Sequence, residues 1–101
     1  MALLNEIKVK HNWHPNTSLE FTQTGVWMRV TLNIPKDLSN HLSPNNVARG
    51  QYFSVYALKA FVQSDMVNKD SLEAIQAMLL NNCMRNIRAA KQKLTDKLLT
   101  N

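Results

Sequence analysis

The spacing of apolar residues changes once along this chain, from every second residue to every third or fourth. Residues 26–34 alternate strictly, with one apolar set formed by Val26, Met28, Val30, Leu32 and Ile34. Residues 72–98 instead carry a helical stripe of Leu72, Ile75, Leu79, Cys83, Ile87, Ala90, Leu94 and Leu98. The first pattern predicts a half-buried strand and the second a long amphipathic helix. The chain is therefore expected to be a single α+β domain over residues 1–101.

Two further strands are predicted before the strongest one. Residues 5–13 alternate loosely, and His14-Pro15-Asn16 ends that run because proline removes a ladder donor and asparagine favours turns. Residues 18–23 suit a second strand with Leu19 and Phe21 facing inward, and Thr24-Gly25 suits a tight turn in which glycine supplies a positive φ. These three strands predict an antiparallel meander whose apolar face is covered by helices.

The middle of the chain has two interpretations. Residues 35–42 suit a helical turn, and Ser43-Pro44 suits a helix start that continues to about Ser64. The alternation of residues 51–55 would instead suit a fourth strand beginning near Gly50. Because residues 57–60 include good helix formers, the helix is the preferred prediction.

The last helix is expected to begin at a capping box, Asp70-Ser71-Leu72-Glu73, and to run to about Leu99. At 1.5 Å per residue it would be about 45 Å long, which exceeds the width of a domain of this size. The helix should therefore break near Asn81-Asn82 or project and pack on another molecule. A homodimer is predicted on this ground, with an interface formed by Leu79, Ile87, Leu94 and Leu98.

Composition narrows the class of protein. Apolar residues make up 45% of the chain, and no run approaches the length of a membrane span. The start of the chain lacks the features of a signal peptide, and there is one cysteine, Cys83. These features predict a cytoplasmic protein without disulfides and without membrane contact.

Positive charge is concentrated towards the end of the chain. The net charge is +5, and most of the excess falls in the predicted last helix, at Arg85, Arg88, Lys91, Lys93 and Lys97. Such a cluster can contact nucleic-acid phosphates. It also suits an ordinary solvated helix surface near a C-terminus, which the charge alone does not distinguish.

A second candidate binding surface lies on the outward side of the predicted sheet. Trp27, Arg29 and Thr31 alternate with the apolar set, and Lys8 and Lys10 suit the same side. An aromatic ring with neighbouring cations can stack a base and hold a phosphate, although a single ring makes a small platform.

Catalytic and metal sites find little support in the sequence. His11 and His14 are three residues apart, which places them on opposite faces of a strand, and no second cysteine completes a metal site. Cys83 falls on the apolar stripe, where a free thiol behaves as a small hydrophobic group. The carboxylates are scattered and no glycine-rich phosphate loop is present. A protein without enzymatic activity, cofactor, metal or small-molecule substrate is expected.

Two function classes follow. The first is a small nucleic-acid-associated accessory or regulatory protein, of the kind a phage or plasmid encodes, which binds the phosphate backbone through its basic C-terminal helix. The alternative is a protein-binding module, such as an adaptor, an inhibitor or an immunity-type protein, that associates through its helices. The clustering of charge favours the first.

Overall fold

A computed structural model describes residues 15–100 of the chain. In chain order, the helices and strands are β1 (Asn16–Phe21), β2 (Gly25–Ile34), α1 (Lys36–Ser39), β3 (Val47–Arg49), β4 (Ser54–Gln63) and α2 (Lys69–Thr100). Two 3₁₀ turns, Pro44–Asn46 and Ser64–Met66, precede β3 and follow β4.

The four strands form one antiparallel sheet in the order β1-β2-β4-β3, followed by the long helix α2. The predicted α+β class is confirmed, and within residues 15–100 the sheet has four strands, where three were expected in the whole chain. The predicted strand over residues 5–13 lies outside the described residues. The two ten-residue strands β2 and β4 pair along their whole length, from Gly25 opposite Gln63 to Ile34 opposite Ser54. They form the centre of the sheet, and the shorter strands form its edges.

The turn between β1 and β2 occurs where the sequence places it, but its glycine is needed for another reason. The Thr22 N–H donates to the Gly25 carbonyl at 2.8 Å, and the Thr22 hydroxyl accepts from the Gly25 N–H at 3.1 Å. A Cβ added at Gly25 would lie 2.2 Å from the Val62 carbonyl oxygen. Glycine is therefore required by the close approach of β4, and not by a positive φ.

The predicted helix from Ser43 to about Ser64 is wrong. The Ser43-Pro44 start gives a single 3₁₀ turn, and the chain then forms β3 and β4. The alternative, a fourth strand after Gly50, is nearer the structure. Helix propensities at residues 57–60 are worth only tenths of a kcal/mol each, so ten residues of pairing with β2 outweigh them. The predicted turn over residues 35–42 is confirmed as the short helix α1.

Helix α2 is continuous over 32 residues, so no break occurs at Asn81-Asn82. Its capping residue, Asn68, lies two residues before the expected Asp70. The Asn68 side-chain oxygen accepts from the Ser71 N–H at 2.8 Å, and the Ser71 hydroxyl accepts from the Asn68 N–H at 3.0 Å. This reciprocal pair is a capping box built on Asn68 and Ser71, in place of the predicted box at Asp70 and Glu73. Among the described residues, no helix has the length and apolarity needed to cross a bilayer.

The core lies between α2 and one face of the sheet. The five apolar side chains of β2 are at most 3% exposed, and those of Met28, Val30, Leu32 and Ile34 form one core with the helix stripe at Leu79, Cys83, Ile87, Ala90 and Leu94. A partly buried polar contact also joins helix and sheet: the Asn86 side-chain amide donates to the Tyr56 hydroxyl at 2.8 Å. The helix therefore covers one face of the sheet, and no described helix or strand packs on the other.

Candidate nucleic-acid interface

The face of the sheet that α2 leaves uncovered, called the open face below, carries aromatic and cationic side chains at its centre. Strand β2 alternates in burial, so Trp27 and Arg29 point away from the core. Their partners on β4 are Phe61 and Lys59, and their partners on β1 are Glu20 and Ser18. Because directly opposite residues of an antiparallel pair point to the same side, these six side chains share one surface.

Trp27 and Phe61 form an aromatic pair on this face. Their ring centroids are 5.0 Å apart and their planes are inclined by 58°. Each residue remains 37% exposed, although both lie on the two central strands. Contact between the rings holds them in place, and their remaining ring surface faces solvent, where it can accept another planar group.

Two cations lie beside the aromatic pair. Arg29 and Lys59 are directly opposite on β2 and β4, and the Lys59 ammonium lies 5.2 Å from the centre of the Trp27 ring. This distance is typical of a cation–π contact. Within residues 15–100, neither cation forms an ion pair with a carboxylate. Both are exposed and both can meet an anion from solution.

Two shallow grooves run from these residues in opposite directions. The first, of about 170 Å³, lies among Ser18, Glu20, Trp27, Arg29 and Lys59. The second, of about 280 Å³, is lined by Arg29, Thr31, Asn45, Asn46, Val47, Ala48, Val55, Ala57 and Lys59. Arg29 and Lys59 line both grooves. Together the grooves cross all four strands, with the two cations at their junction.

Glu20 is an unfavourable neighbour for an anion on this face. It lies directly opposite Trp27 and lines the smaller groove with both cations. The groove therefore has a formal charge of +1, from two cations and one carboxylate. An anion is expected to contact the side of the cations that faces the larger groove, because no described carboxylate lines that groove.

The cations of the last helix do not form one surface. Arg85 and Arg88 are exposed, and the Arg85 guanidinium donates to the Asn82 side-chain oxygen at 2.7 Å. Lys91 is half-buried, whereas Lys93 and Lys97 are exposed. At about 100° per residue, Lys91 and Lys93 lie on opposite flanks of the buried stripe. Arg85, Arg88 and Lys91 follow one another at three-residue spacing within an arc of about 120°, whereas Lys93 lies on the other flank, so the five cations do not share one face.

The two surfaces considered in the sequence analysis also lie on opposite sides of the sheet. Trp27 and Arg29 point away from α2, whereas the cations are carried by α2, which packs on the other face. They cannot combine into one site without a ligand that wraps around the sheet. Lys8 and Lys10 lie outside the described residues.

The residues predicted to form a dimer interface are mostly internal. Leu79, Ile87 and Leu94 are 4%, 1% and 7% exposed, because the sheet of the same chain covers them. Their burial corrects the prediction for these three, since a side chain already in the core is unavailable to a second copy. Leu98 alone of the four is exposed, at 53%.

The described residues form neither a metal site nor a reactive thiol site. Cys83 is fully buried, and desolvation raises the pKa of its thiol. Within residues 15–100, no group of three or more histidine, cysteine or carboxylate side chains lies close enough to hold a metal ion. His11 and His14 lie outside the described residues.

Phe61 and Lys59 are the site residues that the sequence analysis missed. Both fall in the segment predicted to be helical, so their place opposite Trp27 and Arg29 was not anticipated. The available signal was the alternation of residues 56–63, in which Tyr56, Leu58, Ala60 and Val62 form the apolar set and Lys59 and Phe61 fall on the other side. Comparison with known protein families, curated proteins and solved structures finds no match to this chain.

Proposed function

We propose that this protein binds single-stranded nucleic acid on the open face of its sheet, and not through its C-terminal helix. The observation that supports this most is the Trp27–Phe61 pair with Arg29 and Lys59 beside it. Aromatic rings that stack unpaired bases, next to cations that follow the phosphates, are the general means of binding single strands. The net charge of +5 favours the approach of any polyanion.

A single strand suits this surface better than a duplex. The faces of the bases are accessible only when the bases are unpaired and unstacked, and a ring on a sheet can contact those faces but not the edges of paired bases. A base that stacks on Trp27 would displace the Lys59 ammonium from the ring. Because Lys59 lies 5.2 Å from the centre of the Trp27 ring, its ammonium would then remain close to the phosphate that adjoins the stacked base.

The proposal is tested by direct binding. Fluorescently labelled single strands of DNA and RNA and a mixed-sequence duplex are titrated with protein at low salt, with anisotropy as the readout. Trp13→Phe removes the second tryptophan, so that quenching of the remaining fluorescence reports on Trp27. We expect single strands to bind more tightly than the duplex and to quench Trp27. Binding without quenching, or preference for the duplex, would contradict the open face as the site.

The alternative function, a protein-binding module acting through its helices, has less support. The apolar stripe of α2 is occupied by the sheet, which leaves Leu98 and Leu99 as its exposed apolar residues near the end. An exposed strand edge is a stronger candidate for contact with protein.

A further inference from the structure

Strand β1 is an edge of the sheet formed by residues 15–100, and no described strand pairs with its outer side. It is the first strand in the sheet order, and all six of its residues are exposed. Proteins usually block such edges with lysine, proline or a bulge. Strand β1 contains neither residue, and it pairs with β2 in unbroken register from Asn16 to Phe21.

The backbone groups that face outward can be identified from the turn. The Thr22 N–H donates to the Gly25 carbonyl, so Thr22 and Gly25 are a hydrogen-bonded pair. In an antiparallel ladder, hydrogen-bonded pairs alternate along the strand. The N–H and C=O groups of Thr17, Leu19 and Phe21 therefore point away from β2. Within residues 15–100, no other strand lies on that side to accept or donate.

Two of these three residues, Leu19 and Phe21, carry apolar side chains that the helix leaves largely exposed. Their partners on β2 face the core, so their side chains lie on the side of α2. The Gln76 amide donates to the Thr17 hydroxyl at 3.1 Å, which places the helix over the start of β1. Leu19 and Phe21 nevertheless remain 43% and 73% exposed. Free backbone groups and uncovered apolar side chains thus coincide on one edge.

We propose that β1 pairs antiparallel with β1 of a second copy of this chain, about a two-fold axis at Leu19. In this register, Leu19 lies opposite Leu19 of the second copy, and Thr17 lies opposite Phe21. Every outward N–H and C=O of the three residues then has a partner. The pairing is isologous, as in most homodimers, and it joins two four-stranded sheets into one of eight strands.

Charge complementarity favours a second copy over an unrelated strand. On the open face, the two-fold register places Glu20 opposite Ser18 of the second copy, and Ser18 is itself opposite Arg29. Glu20 and Arg29 of different copies are then two strand spacings apart, about 10 Å between backbones. The small serine lies between them, so the two long side chains can meet above it. The dimer therefore pairs a carboxylate with a guanidinium at two symmetric positions.

Disulfide trapping tests the register. In Leu19→Cys, the two cysteines would form a hydrogen-bonded pair with Cα atoms about 5.5 Å apart, within the range a disulfide accepts. The matched control is Ser18→Cys, whose two copies would be offset along the strands by two residues, about 8 Å apart. The native Cys83 is buried and does not interfere. We expect Leu19→Cys to cross-link under mild oxidation at least tenfold faster than Ser18→Cys.

Light scattering with size exclusion provides a measurement that does not depend on cross-linking. The wild-type chain should be a dimer at micromolar concentration, and Leu19→Lys should raise the dimer dissociation constant at least tenfold through like charges at the axis. Because Leu19 is already partly exposed, this variant should keep the wild-type circular dichroism spectrum. Leu98→Lys, on the exposed end of α2, should leave the dimer intact. A wild-type monomer at high micromolar concentration, or a dimer that only Leu98→Lys dissociates, would overturn the proposal.

Discussion

Arg29 and Lys59 lie directly opposite each other on the two central strands, on the face that no described helix covers. Like charges in this position destabilise a sheet, by an amount comparable to the 0.2–1 kcal/mol that favourable cross-strand pairs contribute. Within residues 15–100 of a single chain, no carboxylate forms an ion pair with either of them to offset the repulsion. An anion bound between them would relieve it. This arrangement is therefore better suited to the bound state than to the free protein.

Neutralising one of these cations should change stability and binding in opposite directions. In the Leu19→Lys background, where no second copy brings Glu20 to Arg29, Arg29→Gln is expected to raise the free energy of unfolding by about 0.2–1 kcal/mol at low salt, because cross-strand repulsion is removed. The gain should shrink at high salt as screening increases. The same variant should bind single strands more weakly. Urea unfolding and anisotropy on the same samples provide the check, and a loss of both stability and binding would indicate a structural role for Arg29.

The aromatic pair should contribute to binding far more than other exposed aromatic residues. Removing a ring that stacks a base typically costs about 1–3 kcal/mol, so Phe61→Ala should weaken single-strand binding by roughly 5- to 150-fold. Tyr52→Ala is the matched control, because Tyr52 is 79% exposed in the loop between β3 and β4. Anisotropy titrations should show little change for Tyr52→Ala. Equal losses from both variants would argue against a specific platform.

The sequence was sufficient for the parts of the fold whose pattern is long and regular. Strand β2 has strict alternation over nine residues, and α2 has a stripe that repeats over seven turns. In both elements, the buried side chains belong to the apolar set that recurs every second residue in β2 and every third or fourth residue in α2. The length of α2 nevertheless led to a wrong inference about Leu79, Ile87 and Leu94. A helix that projects beyond a domain was expected to need a second chain, whereas the sheet of its own chain covers this stripe.

The central strand β4 was missed because local and tertiary preferences disagree there. Residues 57–60 favour a helix by intrinsic propensity, and ten cross-strand pairs with β2 decide otherwise. This error carried over to the site. Trp27 was weighed as a single ring, since its partner Phe61 was assigned to a helix. Trp27 and Arg29 could be found from the alternation within one strand. Phe61 and Lys59 could be found only by knowing that β4 pairs with β2, and Trp27 and its partner Phe61 are 34 residues apart in the chain.

Burial of Cys83 should make stability fall in alkaline solution. Desolvation raises the pKa of this thiol in the folded chain, so the folded state keeps the proton at a pH where the unfolded thiol, of pKa about 8.5, loses it. The contribution of the protonated Cys83 thiol to the free energy of unfolding is fully present below the pKa of the unfolded state. As the pH rises from there to the folded pKa, it is lost at up to about 1.4 kcal/mol per pH unit. Other groups also titrate in this range, so the measurement compares wild type with Cys83→Ala by urea unfolding at pH 7, 9 and 10. The stability advantage of wild type should narrow with pH, and a constant difference would contradict the prediction.

Charge reversal on the two faces of the protein should separate the two candidate nucleic-acid surfaces. Arg29→Glu with Lys59→Glu acts on the open face, and Arg85→Glu with Arg88→Glu acts on the exposed side of α2. Each double variant changes the net charge by the same amount, so each is the control for the other's long-range electrostatics. Releasing counterions from two phosphates of a single strand corresponds to a slope of about −1.4 in log K against log salt.

The open-face variant, Arg29→Glu with Lys59→Glu, should lose most single-strand binding. Its slope of log K against log salt should be smaller than that of wild type by about 1.4. The helix variant should shift the affinity slightly and leave the slope unchanged, because its cations lie on the other side of the sheet. The hypothesis from sequence alone predicts the reverse, with about four phosphates contacted by the helix. Anisotropy titrations at four salt concentrations decide between them. If only the helix variant abolishes binding and its salt dependence, then the basic helix is the binding site and the open face is not.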